Sequence, residues 1–552
     1  MNMQRQLKPV VMALSMAGML MAAPGAVAGE RESLEQLRNT TMSLIDLLVQ
    51  EGVLSKSKAE GLIREAEAAR RLAAESEPVT RAEADAAKDQ SAGGDKVVRV
   101  QYVPEHVKKE LREELKKEVM AKAQSEGWAY PGSIPEWLNR IEWMGDLRLR
   151  YELDSFPQGN DPVSNFTGSV LRNADIPNTT DERHRTRVRA RLGANIKIND
   201  WLSGGIRMTT GKVDDSVSPN QTMESTDSKY SFALDRAFLK AQATDWLSVS
   251  GGRFENPFFS TDLVWDPDLA FDGVAATFKP RFSDNWSAFG TLGAFPIDEV
   301  QSSETNRAKD KWLFGAQAGL QWKGTGQSSA KFGVALYDYQ NVEGTPNDLD
   351  GVDDRFNSTV PVSRQKGNST FDINRNGVAS CGIGTGNNGC GLASKFRELD
   401  LTGQIDLAMF NPVHVILTAD YVRNLGFDEQ EIFKRTGQPL GTYDKENEAY
   451  QVKLAIGMPD TLKRHDWQVF GAYKYIEADA VLDAFTDSDF NLGGTNAKGW
   501  VLGASYGLDK NTWLSARFFS ADEIIKWNQA AATLTGRQFS SDVLLIDLNA
   551  KF

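Results

Sequence analysis

RHRTRVRARLGANIKINDWLSGGIRMTTG, residues 183–211, sorts its side chains two ways and then turns. Arg183, Arg185, Arg187, Arg189 and Arg191 share one parity, and Val188, Ala190 and Leu192 share the other. Successive side chains of an extended chain point to opposite faces, so this is a strand with a charged face and an apolar face. Asn199-Asp200 breaks the pattern, Trp201 follows, and alternation resumes. Arginines turned toward lipid cost about 2–4 kcal/mol each near a bilayer midplane, so the charged face must meet water. At the outer end Arg183 and Arg185 lie beyond the membrane.

The same text recurs from Ile141 to the C-terminus. Sixteen alternating segments run near 141–155, 184–198, 201–211, 231–243, 246–254, 269–279, 285–294, 311–322, 328–339, 394–410, 413–423, 446–458, 465–477, 497–508, 511–520 and 541–552. Connections after even-numbered segments are short, and those after odd-numbered segments are long, the longest running from about 340 to 393. Tight turns at one end and long loops at the other mark a transmembrane, antiparallel outer-membrane β-barrel of sixteen strands over 141–552. An even strand count puts both ends of the domain on the short-turn, periplasmic side. Trp201, Trp246, Trp286 and Trp513 each follow a short turn, which reads as an aromatic girdle at the inner membrane surface. Phe552 closes the last strand as an insertion signal for the barrel-assembly machinery.

Composition agrees. The 552 residues are only 41% hydrophobic, with 47 glycines, 27 phenylalanines and 13 tryptophans, and no apolar run beyond the first thirty positions is long enough for a spanning helix. A net charge of −13 argues against nucleic acid as a partner.

Upstream, residues 1–28 read as a signal peptide: Arg5 and Lys8, then an apolar stretch, then Ala26-Val27-Ala28, so that Gly29 begins the mature chain. Leu34, Leu37, Thr41, Leu44 and Leu48 form a heptad seam, and 29–76 is either a helical hairpin or a coiled-coil segment. A solvated linker spans 77–96, and 97–135 holds an extended piece, a charged helix and a hinge. An exported chain keeps disulfides, and Cys381 and Cys390 enclose a Gly/Asn-rich loop able to close one.

VVRVQYVPEHVKKELREELKKEV (97–119), GDLRLRYE (145–152) and EADAVLDAFTDSDFNLGGTNAKGWVLGASYGLDKNTWLSARFF (477–519) together resemble the putative porin family of Gram-negative bacteria, barrels with a helical periplasmic prefix. The resemblance covers nearly the whole mature chain. It implies a diffusion pore in the outer membrane and supplies no binding residues to transfer. By family analogy it also implies a homotrimer, which a heptad prefix would support.

Alternation assigns a candidate pore lining. Arg148 and Arg150 of the first segment join Arg187, Arg189 and Arg191, with Arg207, Arg236 and Lys240 from segments three and four. Segment ten turns Glu398, Asp400 and Asp406 inward, and segment eleven adds His414 and Asp420. Segments two and ten are diametrically opposed. Either a basic wall faces an acidic one across the channel, or Asp146, Glu152 and acids of the third long loop neutralise the arginines locally. That loop, ENPFFSTDLVWDPDL (255–269), either folds inward as a constriction or caps the rim; its apolar side chains favour the inward course.

No catalytic residue, metal site or cofactor is expected. The four histidines lack metal spacing, and Asp372-Ile-Asn374-Arg-Asn376-Gly377 begins like a calcium loop but has Ile383 where the bidentate acid belongs. The acidic TDSDF of 486–490 has no defined ligand set. These features predict a passive channel for small hydrophilic, charged solutes, in contact with outer-membrane lipid. The alternative is a structural tether or adhesin whose helical prefix grips a periplasmic or peptidoglycan partner.

Overall fold

A computed structural model describes residues 138–163, 176, 178–224, 226–347, 355–375, 389–443, 445–525 and 539–552. The expected signal peptide, the helical prefix, the linker and the charged helix and hinge of 97–135 lie outside the described residues, as does Cys381.

Sixteen strands build one sheet. They are β1 (Ile141–Ser155), β2 (Arg183–Lys197), β3 (Leu202–Thr209), β4 (Ala233–Thr244), β5 (Leu247–Glu255), β6 (Ala270–Phe278), β7 (Trp286–Asp298) and β8 (Lys311–Lys323). The second half holds β9 (Ser329–Gln340), β10 (Arg397–Phe410), β11 (Val413–Asn424), β12 (Glu448–Gly457), β13 (Trp467–Ile476), β14 (Ala497–Asp509), β15 (Thr512–Glu523) and β16 (Ser540–Lys551). Each pairs antiparallel with its sequence neighbours. β16 returns to β1 in register from Asp146↔Lys551 to Ser155↔Asp542, and Gly145 and Phe552 exchange two backbone hydrogen bonds of 3.0 Å at the seam. No edge is left open.

Every alternating segment of the sequence is a strand, and the connections sort by parity as expected. Corrections concern strand ends. β7 runs to Asp298, four residues beyond the alternating text, β10 starts at Arg397 rather than 394, and β15 extends to Glu523. β3 is interrupted. It leaves the sheet after Thr209 and returns as Gln221–Thr222 beside Arg187 and Val188. Thr210 holds the excursion by donating to Pro219 O at 3.0 Å while receiving Ala190 N at 3.0 Å. Gly211 makes the bend at φ 113°, where a Cβ would press on Pro219.

The molecule is inside out. Leu149, Leu192, Ile206, Leu239, Leu292, Leu320 and Leu502 are exposed on the outer surface, whereas Arg150, Glu152, Arg189, Asp400, Lys474 and Asp547 are buried within. A water-soluble protein avoids the first set and seldom tolerates the second. A lipid-facing exterior requires the first, and a charged lumen accommodates the second.

Aromatics mark both rims. At the inner end Trp143, Trp286 and Trp467 stand on the lipid-facing parity, and Trp286 and Trp322 are cross-strand partners. Trp201 sits exposed in its turn, and Trp246 stacks on Phe278 at 6.4 Å. Trp513 is a correction: it shares parity with Ser515 and Arg517, opposite Asn549, while Leu514 faces lipid. Its place just after a turn gave the depth; strand alternation turned it inward. The outer rim carries Tyr450 stacked on Tyr475 at 5.1 Å, and Tyr473 against Trp500 at 5.0 Å.

The long connections are loop 1 (156–182), loop 2 (210–232), loop 3 (256–269), loop 4 (299–310), loop 5 (341–396), loop 6 (425–447), loop 7 (477–496) and loop 8 (524–539). Loop 5 contains a small hairpin, Thr370–Asp372 against Cys390–Leu392, and Cys390 is disulfide-bonded. The calcium-like stretch of this loop lies largely outside the described residues.

Two positions, one on each face of the sheet, test the assignment of faces. Leu502→Arg puts a charge on lipid near the middle of β14 and should destabilise the folded barrel by about 2–4 kcal/mol. Gln321→Arg puts the same charge into the lumen and should be tolerated. Urea unfolding in lipid vesicles, read by tryptophan fluorescence, checks both; equal tolerance would reverse the assignment.

Candidate functional site

Loop 3 takes the inward course. Asn256 Oδ1 accepts from Phe258 N at 2.9 Å, and Thr291 Oγ1 of β7 donates to Pro257 O at 2.9 Å. Gln317 of β8 then clamps Phe259, accepting from its N–H and donating to its carbonyl at 2.7 Å each. Further on, Thr261 Oγ1 donates to Asp420 of β11 at 2.5 Å, and Asp262 accepts from Lys474 of β13 at 2.8 Å. The loop returns by Asp268, which meets Arg191 at 2.8 Å and Arg189 at 3.3 Å on β2. It therefore crosses the lumen, tied to the wall at β8, β11, β13 and β2.

The apolar residues of the loop explain the course. Trp265 is 2% exposed and packs edge-on against Phe271 at 4.9 Å and Tyr337 at 5.1 Å. Phe258 meets Tyr337 at 5.0 Å. Burying such rings removes large apolar area from water and adds aromatic pair contacts. Loop 7 packs onto the same cluster through Phe485, 5.8 Å from Trp265, and Phe485 O accepts from Asp266 N at 2.8 Å.

The arginine row of β2 faces the lumen and is paired from its own side. Arg187 meets Glu152 of β1 at 3.1 Å, and Arg185 pairs with Glu152 and Asp154. Asp146 takes Arg189 at 2.8 Å and Arg191 at 2.7 Å. Arg150 is bidentate to Asp547 of β16, at 2.7 and 3.1 Å, and also reaches Asp489 of loop 7 at 3.1 Å, which takes Arg517 at 2.7 Å. Arg207 pairs with Asp235, and Arg236 with Glu255 at 2.7 Å. Arg148 hydrogen-bonds Asn549 at 3.3 Å and has no carboxylate partner among the described residues. Lys240 is exposed in the lumen.

The acids opposite are differently placed. Glu398 and Asp400 are fully buried: Glu398 accepts from Leu482 N of loop 7 at 3.0 Å, and Asp400 accepts from Tyr337 Oη at 3.3 Å. Asp420 lies under loop 3. Only Asp406 stays partly open, bonded to His414 Nδ1 at 2.7 Å. Of the two arrangements open at the sequence level, local pairing is the one present: the loops lie over the acidic row and the basic row carries its own counter-charges.

The TDSDF stretch supplies partners that alternation alone did not assign. Asp487 takes Lys474 at 2.8 Å and Asp489 takes Arg150 and Arg517. Burial alone would raise the Asp262 carboxyl, but the Lys474 ammonium outweighs it and holds the group well below the ordinary carboxylate range. Asp489 behaves alike: burial raises it, and Arg150 and Arg517 overcome that. Strand parity would have placed Lys474 and Arg517 in the lumen. Their partners come from loops, whose course has no period to read.

A family model described as putative porin matches residues 38–552. No curated protein matches the sequence. Among solved structures, the chain is similar to the outer membrane channel DcaP of Acinetobacter baumannii, at 12% identity and TM-score 0.38, over 75% of this chain and 97% of that one. It is similar to OprB of Pseudomonas putida at 12% identity and TM-score 0.41, over 76% and 96%. The anion-selective porin from Comamonas acidovorans is similar at 9% identity and TM-score 0.38, over 75% and 99%.

Lys474→Met strands the buried Asp487 and the partly exposed Asp262 and should loosen loops 3 and 7 by about 3–5 kcal/mol, the cost of breaking a buried ion pair from one side. Faster tryptic cleavage within these loops than in the parent protein is the expected reading. The pH response has a definite sign. Carboxyls lowered on folding contribute stability that is complete above their ordinary range and lost only as pH falls through the lowered value. Asp262 and Asp489 therefore keep their contribution down to about pH 5, while Asp266 and Asp487, raised by burial, favour the lower pH, so protease protection of loop 3 should be at least as great at pH 5 as at pH 8.

Proposed function

The chain belongs to the putative porin family, and from that premise we propose a passive outer-membrane channel for small hydrophilic solutes whose charge preference is set where loop 3 meets the β2 arginines. One observation carries the reading: a closed barrel with an apolar exterior holds a charged interior, and loop 3, with loop 7 packed on it, crosses that interior. Solutes pass beside loop 3, along walls whose carboxylates and guanidinium groups are paired locally. Such a passage selects for solutes able to exchange their hydration for polar walls, and it disfavours apolar ones. Because both signs are present and largely paired, selectivity depends on small imbalances.

Topology supports an orientation. β1 begins and β16 ends on the short-turn side, which in outer-membrane barrels is periplasmic. We place the N-terminal segment there, where its heptad seam would support a homotrimer. Charge-bearing walls need no reactive chemistry for this role, only water and fixed positions.

Full-length protein in planar bilayers should show discrete unitary conductance steps in potassium chloride; a barrel that never conducts would favour the tether. Arg187→Ala with Arg189→Ala removes two cations and leaves Glu152, Asp146 and Asp268 less neutralised. The reversal potential in a salt gradient should move toward cation selectivity. An unchanged potential would discard the proposed selectivity site.

A further inference from the structure

A second charged region lies at the opposite, inner end of the lumen, below the root of loop 3. There a cavity of about 490 Å³ is walled by β6, β7, β8 and β9, within the size range of small-molecule sites. Its cations are Lys331 of β9, Lys279 and Arg281 after β6, and Lys323 at the end of β8. None has an ion-pair partner among the described residues. The one carboxylate on the wall, Asp284, is exposed in the short turn at the mouth. The contrast with the β2 side is sharp, since there nearly every arginine is matched by an acid.

Lys331 is held in a particular way. Its Nζ lies 3.8 Å from the ring centroid of Phe259 and 4.5 Å from that of Phe289. The two rings meet edge to face at 5.7 Å. A carboxylate would position the ammonium and cancel its charge; aromatic faces position it and leave the charge available. The rings are themselves fixed. Gln317 clamps the Phe259 backbone, and the Phe289 ring lies over Gly319, where a Cβ would collide with it. Placed cations, flat apolar walls and, among the described residues, no carboxylate paired with those cations make a surface for an amphipathic anion.

We propose that this inner vestibule is a binding subsite for small organic carboxylates, with the carboxylate against Lys331 and Lys279 and the hydrocarbon part against Phe259 and Phe289. An inorganic anion meets the same charges but gains nothing from the rings. A neutral solute of the same shape meets the rings but not the charges. The inference rests on the channel reading for its consequence, which is that such solutes pause in the lumen as they cross.

The test uses the full-length protein and sodium pentanoate, with pentanamide and acetate as comparators. In planar bilayers, pentanoate should reduce the chloride-carried current saturably, pentanamide should not, and acetate should act only at higher concentration. The double variant Lys331→Gln, Lys279→Gln should raise the half-effect concentration by roughly tenfold or more, as expected for losing a charge-assisted contact. Lys331→Arg should retain much of the effect. Phe259→Ser should weaken pentanoate more than acetate. Lys212→Gln, which removes one charge from loop 2 at the outer end, should leave the pentanoate effect in place. A current linear in pentanoate, or the same half-effect concentration in the double variant, overturns the subsite while leaving the channel intact. If the barrel passes no current in potassium chloride, the channel reading fails, and saturation-transfer NMR of pentanoate with the protein in nanodiscs decides the subsite. Transfer abolished by the double variant supports it, and no transfer from the parent protein to pentanoate overturns it.

Discussion

A chain in a lipid interior has nowhere to send an unpaired N–H or C=O except to itself. That constraint governs the structure. It explains why the sheet has no free edge among the described residues and why Phe552 reaches back to Gly145. Closure creates a lumen, and a lumen lets side chains do inside what a soluble protein does outside. Arginine, aspartate and lysine occupy the buried set, while leucine and valine occupy the exposed one.

The loops exploit this inverted interior. Loops 3 and 7 carry enough phenylalanine, tryptophan and leucine to form a core among themselves and the lumen-facing aromatics of β6 and β9. Their acids then settle against wall cations. Asp262 and Asp487 share Lys474, Asp489 joins Arg150 to Arg517, and Asp268 joins Arg189 to Arg191. Apolar burial supplies the driving force, and the ion pairs fix the position, since a misplaced loop would strand charges in a poorly hydrated space. The lysines at the inner end, without ion-pair partners among the described residues, stand out against this matched background.

Much of the barrel was legible because its signal is periodic. Two-residue alternation located every strand, and loop length sorted the ends. Arg187 and Arg189 were readable as lumen-facing, and so were their partners on the adjacent strand. What was not legible is aperiodic or distant. Arg150 meets Asp547 across 397 residues and Asp489 across 339. Glu398 and Asp400 had the right parity, yet nothing in their own strand announces the loops that cover them. The break in β3 depends on a Gly211–Pro219 contact that composition cannot reveal, and Trp513 was read by depth without regard to face.

The central claim is that alternate residues of each strand meet lipid and a water-filled or protein-filled interior. Spin-label scanning of residues 448–457 in β12, reconstituted in vesicles, tests it directly. Oxygen accessibility should peak at Tyr450, Val452, Leu454 and Ile456 and fall at Gln451, Lys453 and Ala455, with a period of two. A uniform profile, or one with a helical period, would contradict the account.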